Sequence, residues 1–298
     1  MQLTVLGSSS AIPTKERNHS AFLLEYEGNT LLFDCGEGTQ RQMVIAGIPV
    51  PKIDKIFISH WHGDHVLGLA GIIQTCTMSN RVKELEIYGP KGSKERFEHL
   101  KKAFSMDINY PIKVIEVSNG TIFENKDYEI SVFPIGHGAV PSRSYSFKQK
   151  DKLKINLNYV KKFGLVKHRI LGELQRGHDI VFEGDKIKAK DATIKVEGKK
   201  IVYIGDGRVD SKMKTFAKDA DLIISEATYT EEHKSDAVKN NHMTAKEISE
   251  FAHKSNAKML LLTHFSRKLQ TLKEVSDEAK SVFKGELILA KDFMKIKL

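Results

Sequence analysis

A chain of 298 residues, 40% hydrophobic and 29% charged, has the length and composition of a globular protein with a substantial core. Two cysteines without C-x-x-C spacing, Cys35 and Cys76, exclude a disulfide scaffold and fit a reducing cytoplasm; no apolar run nears the roughly 20 residues of a membrane span, and the N-terminus lacks a signal-peptide pattern. The formal net charge of +9 favours an anionic partner such as nucleic acid.

Along the chain, strand-like and helix-like segments alternate. LTVLG opens as a strand. SAFLLEY and TLLFDCG read as two strands joined by the turn Glu27-Gly28-Asn29. KIDKIFIS is a buried strand, and HVLGLAGIIQTCTMS follows with helical spacing. ELEIYGP reads as a strand and KERFEHLKKAF as an amphipathic helix. EISVFPIGHG, KKIVYIGDG, ADLIISEATY and AKMLLLTHFS are four more strands, each an aliphatic run bounded by polar or glycine-rich sequence. Thr244 and Glu247 have the spacing of a capping box at the start of the helix ISEFAHKS. No repeat or low-complexity linker divides the chain, so the expectation is one α/β domain over residues 1–298 with an insertion.

The insertion is residues 148–176, with nine Lys/Arg against two Asp/Glu, a net of +7. Most of the positive excess sits in these 29 residues. Such a concentration reads as an electrostatic arm for a polyanion rather than a generally basic surface.

His60 follows the strand KIFIS, His137 follows ISVFPIG, Asp206 follows IVYIG, Glu226 follows DLIIS and His264 follows MLLLT. Five buried strands ending in an acid or a histidine, at one edge of a sheet, fit the rule that α/β sheets bind ligands at their carboxyl ends. The run His60-x-His62-x-Asp64-His65 adds four donors in one loop. His60 and His62, two apart on extended backbone, can face one side. Asp64 and His65, opening the next helix, can face a second centre. Imidazole and carboxylate suit zinc, and mixed N/O ligation also admits manganese or iron. These donors exceed the needs of one tetrahedral ion but suit two metals about 3.5–4 Å apart, an arrangement that hydrolyses phosphodiesters.

His60-x-His62-x-Asp64-His65 with downstream His137, Asp206 and His264 resembles the metallo-β-lactamase superfamily. LGSSSAIPTKERNHS, FDCGEGTQRQ, PIGHG, YIGDGR, SEATY, HMTAKE and LTHFSRK narrow the resemblance to the tRNA 3′-processing endoribonucleases, RNase Z, over nearly the whole chain. The resemblance implies an αββα sandwich with an inserted basic arm, and two divalent metal ions, zinc first and manganese admitted. His60, His62 and His137 would bind one ion; Asp64, His65 and His264 the other; Asp206 would bridge them. Asp64 would accept a proton from the attacking water, and Glu226 with His242 would serve the leaving 3′-oxygen. Precursor tRNA would be the substrate, held by Lys15 and Arg17 of PTKERN and by Lys161, Lys162, Lys167 and Arg169 of the arm. A homodimer and a cytoplasmic setting without a membrane partner are also implied.

The chain departs from the family pattern in three places: Ser225 begins the segment that is His-Glu-Ala-Thr elsewhere, Ala70 stands where proline is common, and His168-Arg169 replace a frequent Gly-Pro in the arm. Fold alone leaves a second reading, a small-molecule hydrolase acting on a thioester, lactone or cyclic phosphodiester. That reading gives the basic insertion no use.

Overall fold

The computed structural model describes every residue except Gln270. β1 (Gln2–Gly7), β2 (Ala21–Tyr26), β3 (Asn29–Phe33), β4 (Lys55–Phe57), β5 (Leu85–Gly89) and β6 (Ile112–Glu116) lie side by side in chain order and form most of a first seven-stranded sheet. β7 (Gly120–Glu124), β8 (Tyr128–His137) and β9 (Val140–Gln149) begin a second. β10 (Lys152–Ile155), β11 (Ile180–Phe182), β12 (Asp185–Ile187) and β13 (Thr193–Val196) belong to a separate unit. β14 (Lys200–Ile204), β15 (Leu222–Glu226), β16 (Met259–Thr263) and β17 (Glu286–Leu289) complete the second sheet in the order 17-16-15-14-9-8-7, and β18 (Lys295–Lys297) returns to pair with β1. β1 to β3 are antiparallel. The runs β3–β6 and β14–β17 are parallel.

The period-2 alternation of strands decides the layers. On β2, β3 and β4 the aromatics Phe22, Phe33 and Phe57 point to one face, where Phe22 lies 5.5 Å from Tyr203 and Phe57 lies 5.3 Å from Tyr145, ring centre to ring centre. Tyr145 and Tyr203 belong to β9 and β14, so the two sheets meet through an aromatic layer. The alternate residues Leu23, Leu32 and Ile56 face the other way and pack with Met43, Leu69, Ile73 and Phe97 of the helices Thr39–Ile45, Leu69–Met78 and Ser93–Ala103. The helix Ala245–Lys254 packs on β15 and β16, and Lys273–Val282 packs on β17. The layers run helix, sheet, sheet, helix, as the αββα expectation has it.

The β2–β3 turn is tighter than its sequence suggests. Asn29 already pairs with Tyr26, leaving only Glu27 and Gly28 as turn residues, both at positive φ (48° and 77°), the requirement of a two-residue hairpin turn. The capping box forms: Thr244 Oγ1 accepts from Glu247 N, and a Glu247 side-chain oxygen accepts from Thr244 N.

The second compact unit comprises residues 124–129 and 148–199, whereas the first holds 1–123, 130–147 and 200–298. The basic segment 148–176 is thus not closed on itself. β10 pairs with β13 seventeen residues beyond its end, and the small core of Val160, Leu165 and Leu174 is completed by Ile180, Ile187, Ala189 and Ala192. Residues 177–199 add five lysines and five acids, so the net charge of 148–199 is that of the basic segment. No helix among the described residues is long and apolar enough to cross a membrane.

Candidate metal centre and active site

The strand ends named from the sequence belong to two sheets rather than to one edge of one sheet. His60 follows β4 of the first, and His137, Asp206, Glu226 and His264 end or follow β8, β14, β15 and β16 of the second. Because each sheet buries its aromatic face on the other, the carboxyl ends of these strands open on one cleft of about 730 Å³ lined by His62, Asp64, Asp206, His242 and His264.

Two groups of donor atoms converge, each within 4.8 Å internally: His60 with His62 and His137, and Asp64 with His65, Asp206 and His264. His62 caps the helix Gly63–Val66 in extended conformation, which sends His60 and His62 to one group and Asp64 and His65 to the other. Asp206 lies between the groups, with one carboxylate oxygen 3.1 Å from His264 Nε2, 3.3 Å from His65 Nε2 and 4.0 Å from His60 Nε2.

Hydrogen bonds behind the rings fix which nitrogen faces the cleft. His65 Nδ1 donates to Asp34 at 2.6 Å, and His137 Nδ1 donates to the Asn241 carbonyl at 3.1 Å. His60 Nδ1 lies 3.0 Å from Ser59 Oγ, whose single proton goes to Asp34 at 2.7 Å. His264 Nδ1 lies 2.8 Å from Thr228 Oγ1, whose proton goes to Glu226. Each hydroxyl has spent its proton on a carboxylate, so each must accept from the imidazole Nδ1–H. In all four rings Nδ1 is thus the donor to the protein and Nε2 is the nitrogen turned inward, the orientation that metal ligation needs.

The electrostatics agree with this donor set. Burial, reinforced by neighbouring histidines, holds His60 well below the usual imidazole range and lowers His62. Burial also opposes charge on His65, but Asp206, Asp34 and Asp64 outweigh it and raise that ring. Burial works against an ionised Asp64 as well, yet His65 and His264 hold it below the normal carboxylate range. His65 Nε2 is buried without a hydrogen-bond partner among the described residues. A buried imidazole nitrogen with the carboxylates of Asp206 and Asp64 only 3.3 and 3.5 Å away fits a cation bound between them.

Beside these groups, His242 Nδ1 donates to Glu226 at 2.8 Å. Burial would lower this ring, but Glu226 and Asp206 raise it to about 9; with Nδ1 committed to Glu226, its Nε2 is the nitrogen placed to carry a transferable proton.

Sequence reasoning missed several supporting residues. Asp34, buried at the end of β3 with φ 55°, accepts from Ser59 N, Ser59 Oγ, His65 Nδ1 and Tyr203 OH. Its signal was an acid placed, like the others, just after a strand. Asp34→Ala should weaken metal affinity by about tenfold to a hundredfold, because His65 loses its orienting acceptor; chelator competition measures this, and wild-type affinity would contradict it. Thr228, Arg267 and Lys268 also line the cleft.

The loop PTKERN contributes Pro13 to the cleft, together with nearby Ala11, Ile12 and His19. Lys15 is exposed, and Arg17 stacks over Phe265, its guanidinium carbon 5.4 Å from the ring centre; neither lines the cleft. Lys161, Lys162, Lys167 and Arg169 are exposed on the second unit. Ser225 is fully buried, and its hydroxyl has no partner among the described residues.

A family model described as "Anti-Pycsar protein Apyc1" matches residues 1–160, a span that holds His60 to His137 but not Asp206, Glu226, His242 or His264. A protein called Ribonuclease Z from Ignicoccus hospitalis is 40% identical over 285 residues, covering 95% of this chain and 93% of that relative. Human tRNase Z, short form, superposes with a TM-score of 0.73 at 27% identity, covering 100% of this chain and 99% of that one. The metallo-β-lactamase fold protein YhfI of Bacillus subtilis, at 21% identity and a TM-score of 0.72 over 99% and 98% of the two chains, shares the fold. With 40% identity over 95% of its length to such a relative, the chain belongs to the ribonuclease Z family and carries the metallo-β-lactamase fold.

Proposed function

We propose that this chain removes the 3′ trailer from precursor tRNA as a metal-dependent endoribonuclease, leaving a 3′-hydroxyl on the tRNA and a 5′-phosphate on the trailer. The observation that carries the reading is one cleft in which Asp206 lies between two donor groups while His242, held from behind by Glu226, faces the same space. Two zinc ions suit the imidazole-rich donor set, and manganese is admitted. His60, His62 and His137 would hold one, Asp64, His65 and His264 the other, with Asp206 shared between them. Ions bound there would supply positive charge to the phosphodiester and ease deprotonation of the attacking water.

The chain's own groups move the protons. Asp64, kept ionised by His65 and His264, accepts the proton of the water. As the P–O3′ bond breaks, His242 Nε2 gives its proton to the leaving 3′-oxygen, and Glu226 stabilises and orients the ring. His242→Ala should therefore lower kcat by about a hundredfold or more with KM and metal content little changed; single-turnover kinetics and elemental analysis check both.

The substrate follows from the family and from charge. The relatives are named ribonuclease Z and tRNase Z, and a net of +7 in residues 148–176 suits an RNA backbone. A small-molecule hydrolase leaves that charge without a role. A homodimer is in keeping with exposed Val44 and Ile45 on the helix Thr39–Ile45 and Met78 on the adjoining Leu69–Met78. A cytoplasmic setting is in keeping with two buried free thiols.

The direct test incubates the purified chain with a 3′-extended tRNA precursor and zinc or manganese, then maps the cut. A single cut 3′ of the acceptor stem is expected. Intact precursor, with wild type and His60→Ala indistinguishable, removes the proposal.

A further inference from the structure

The loop that carries His242 is held from two sides. His137 Nδ1 donates to the carbonyl of Asn241 at 3.1 Å, and Arg208 Nη1 donates to the carbonyl of His242 at 2.7 Å. The two contacts share one root, because the backbone N–H of Arg208 donates to the carbonyl of Gly136, next to His137, at 2.9 Å. Strand end 136–137, Arg208 and loop 241–242 thus close a ring of hydrogen bonds.

Gly207 permits this closure. Its φ is 145°, and a Cβ there would lie 2.5 Å from the Gly136 carbonyl oxygen, so only glycine lets the chain pass close enough to deliver Arg208. The other arm of the guanidinium is also committed: Nη2 donates to Glu247 Oε1 at 2.7 Å. Glu247 is itself fixed, since its second oxygen accepts from Thr244 N at 3.0 Å in the capping box. A carboxylate placed by a helix start and a planar guanidinium make a rigid strut.

We propose that Arg208 is a positioning residue that sets the aim of His242 relative to the donor group containing His137. This rests on the reading of His242 as the proton donor. The main chain of His242 is fixed by Arg208, and its ring is fixed by Glu226; losing the first lets the ring swing about the second. Two of the five guanidinium N–H groups of Arg208 hold the carbonyl of His242 and the carboxylate of Glu247, and through them its role runs to His242.

The test uses the full chain loaded with zinc. Arg208→Gln should lower kcat by about tenfold to a hundredfold, as a misplacement near 1 Å does, with KM and metal content held. Arg208→Lys, which keeps the charge and one donor, should fall between it and wild type. In a His242→Ala background Arg208→Gln should add less than about twofold, because residues acting through one group are not additive. A rise in KM alone, or an equal loss in both backgrounds, overturns the proposal.

Failure of wild type to cut the precursor would count against the proposed function, and the strut is then judged without turnover. Long-range proton–nitrogen spectra of the imidazoles should show the His242 ring displaced or broadened in Arg208→Gln. An unchanged His242 ring signal overturns the proposal.

Discussion

Asp206→Ala should lower kcat/KM for precursor cleavage by about a thousandfold or more, which corresponds to roughly 4 kcal/mol of transition-state stabilisation. Most candidate ligands touch one donor group only. Asp206 lies 3.1 Å from His264 Nε2, 3.3 Å from His65 Nε2 and 4.0 Å from His60 Nε2, so its loss strips charge from both groups at once. Bound metal per chain should fall in the same variant, read by elemental analysis after dialysis. Asp206→Asn, which keeps the volume and removes the charge, should lie nearer to alanine than to wild type. If Asp206→Ala stayed within tenfold of wild type with full metal content, the bridging role would be lost.

The second large effect concerns the basic unit, whose pairing and core decide where it can be cut away. Deleting residues 148–176 would remove β10 while leaving its partner β13, and would cut through the core that joins Val160 and Leu174 to Ile187 and Ala192. A cut nearer the limits of the unit offers a better seam. Gln149 N donates to the Lys199 carbonyl at 2.9 Å, so excising residues 151–197 and closing Lys150 to Gly198 with a short glycine link joins neighbouring points.

That excision should leave a folded, metal-binding chain whose affinity for precursor tRNA has dropped by about a hundredfold at moderate salt. The subtler variant replaces Lys161, Lys162, Lys167 and Arg169 with alanine. If each contacts a phosphate, the slope of log K against log salt should shrink by roughly 3 to 4. Unchanged affinity and slope in both variants would mean that the charge serves something other than RNA.

Much of the architecture is written locally. The runs TLLF, IVYI, DLIIS and MLLLT are aliphatic enough to be buried strands whatever surrounds them, and each becomes one. β9 is the instructive omission. Its sequence VPSRSYSFKQ buries Ser142, Ser144 and Ser146, and serines in alternation carry no hydrophobic signal. They are inside because they lie in the middle of a sheet. The limit of the second unit is illegible for a related reason: β10 meets β13 only after about forty intervening residues, and nothing local marks the pairing.

For the site, the sequence alone determined the donor types and the places where strands deliver them. His60, His62, Asp64 and His65 are contiguous, and His137, Asp206, Glu226 and His264 each stand at a strand end. Tertiary structure alone decided that these ends come from two facing sheets, and that Asp206 falls between two groups. It also turned Nε2 of four rings inward, through Asp34, Ser59, Thr228 and the Asn241 carbonyl. Residue identity fixes what an atom can donate or accept, whereas the tautomer and direction of a ring depend on a partner far away in the chain, and folding alone supplies that partner.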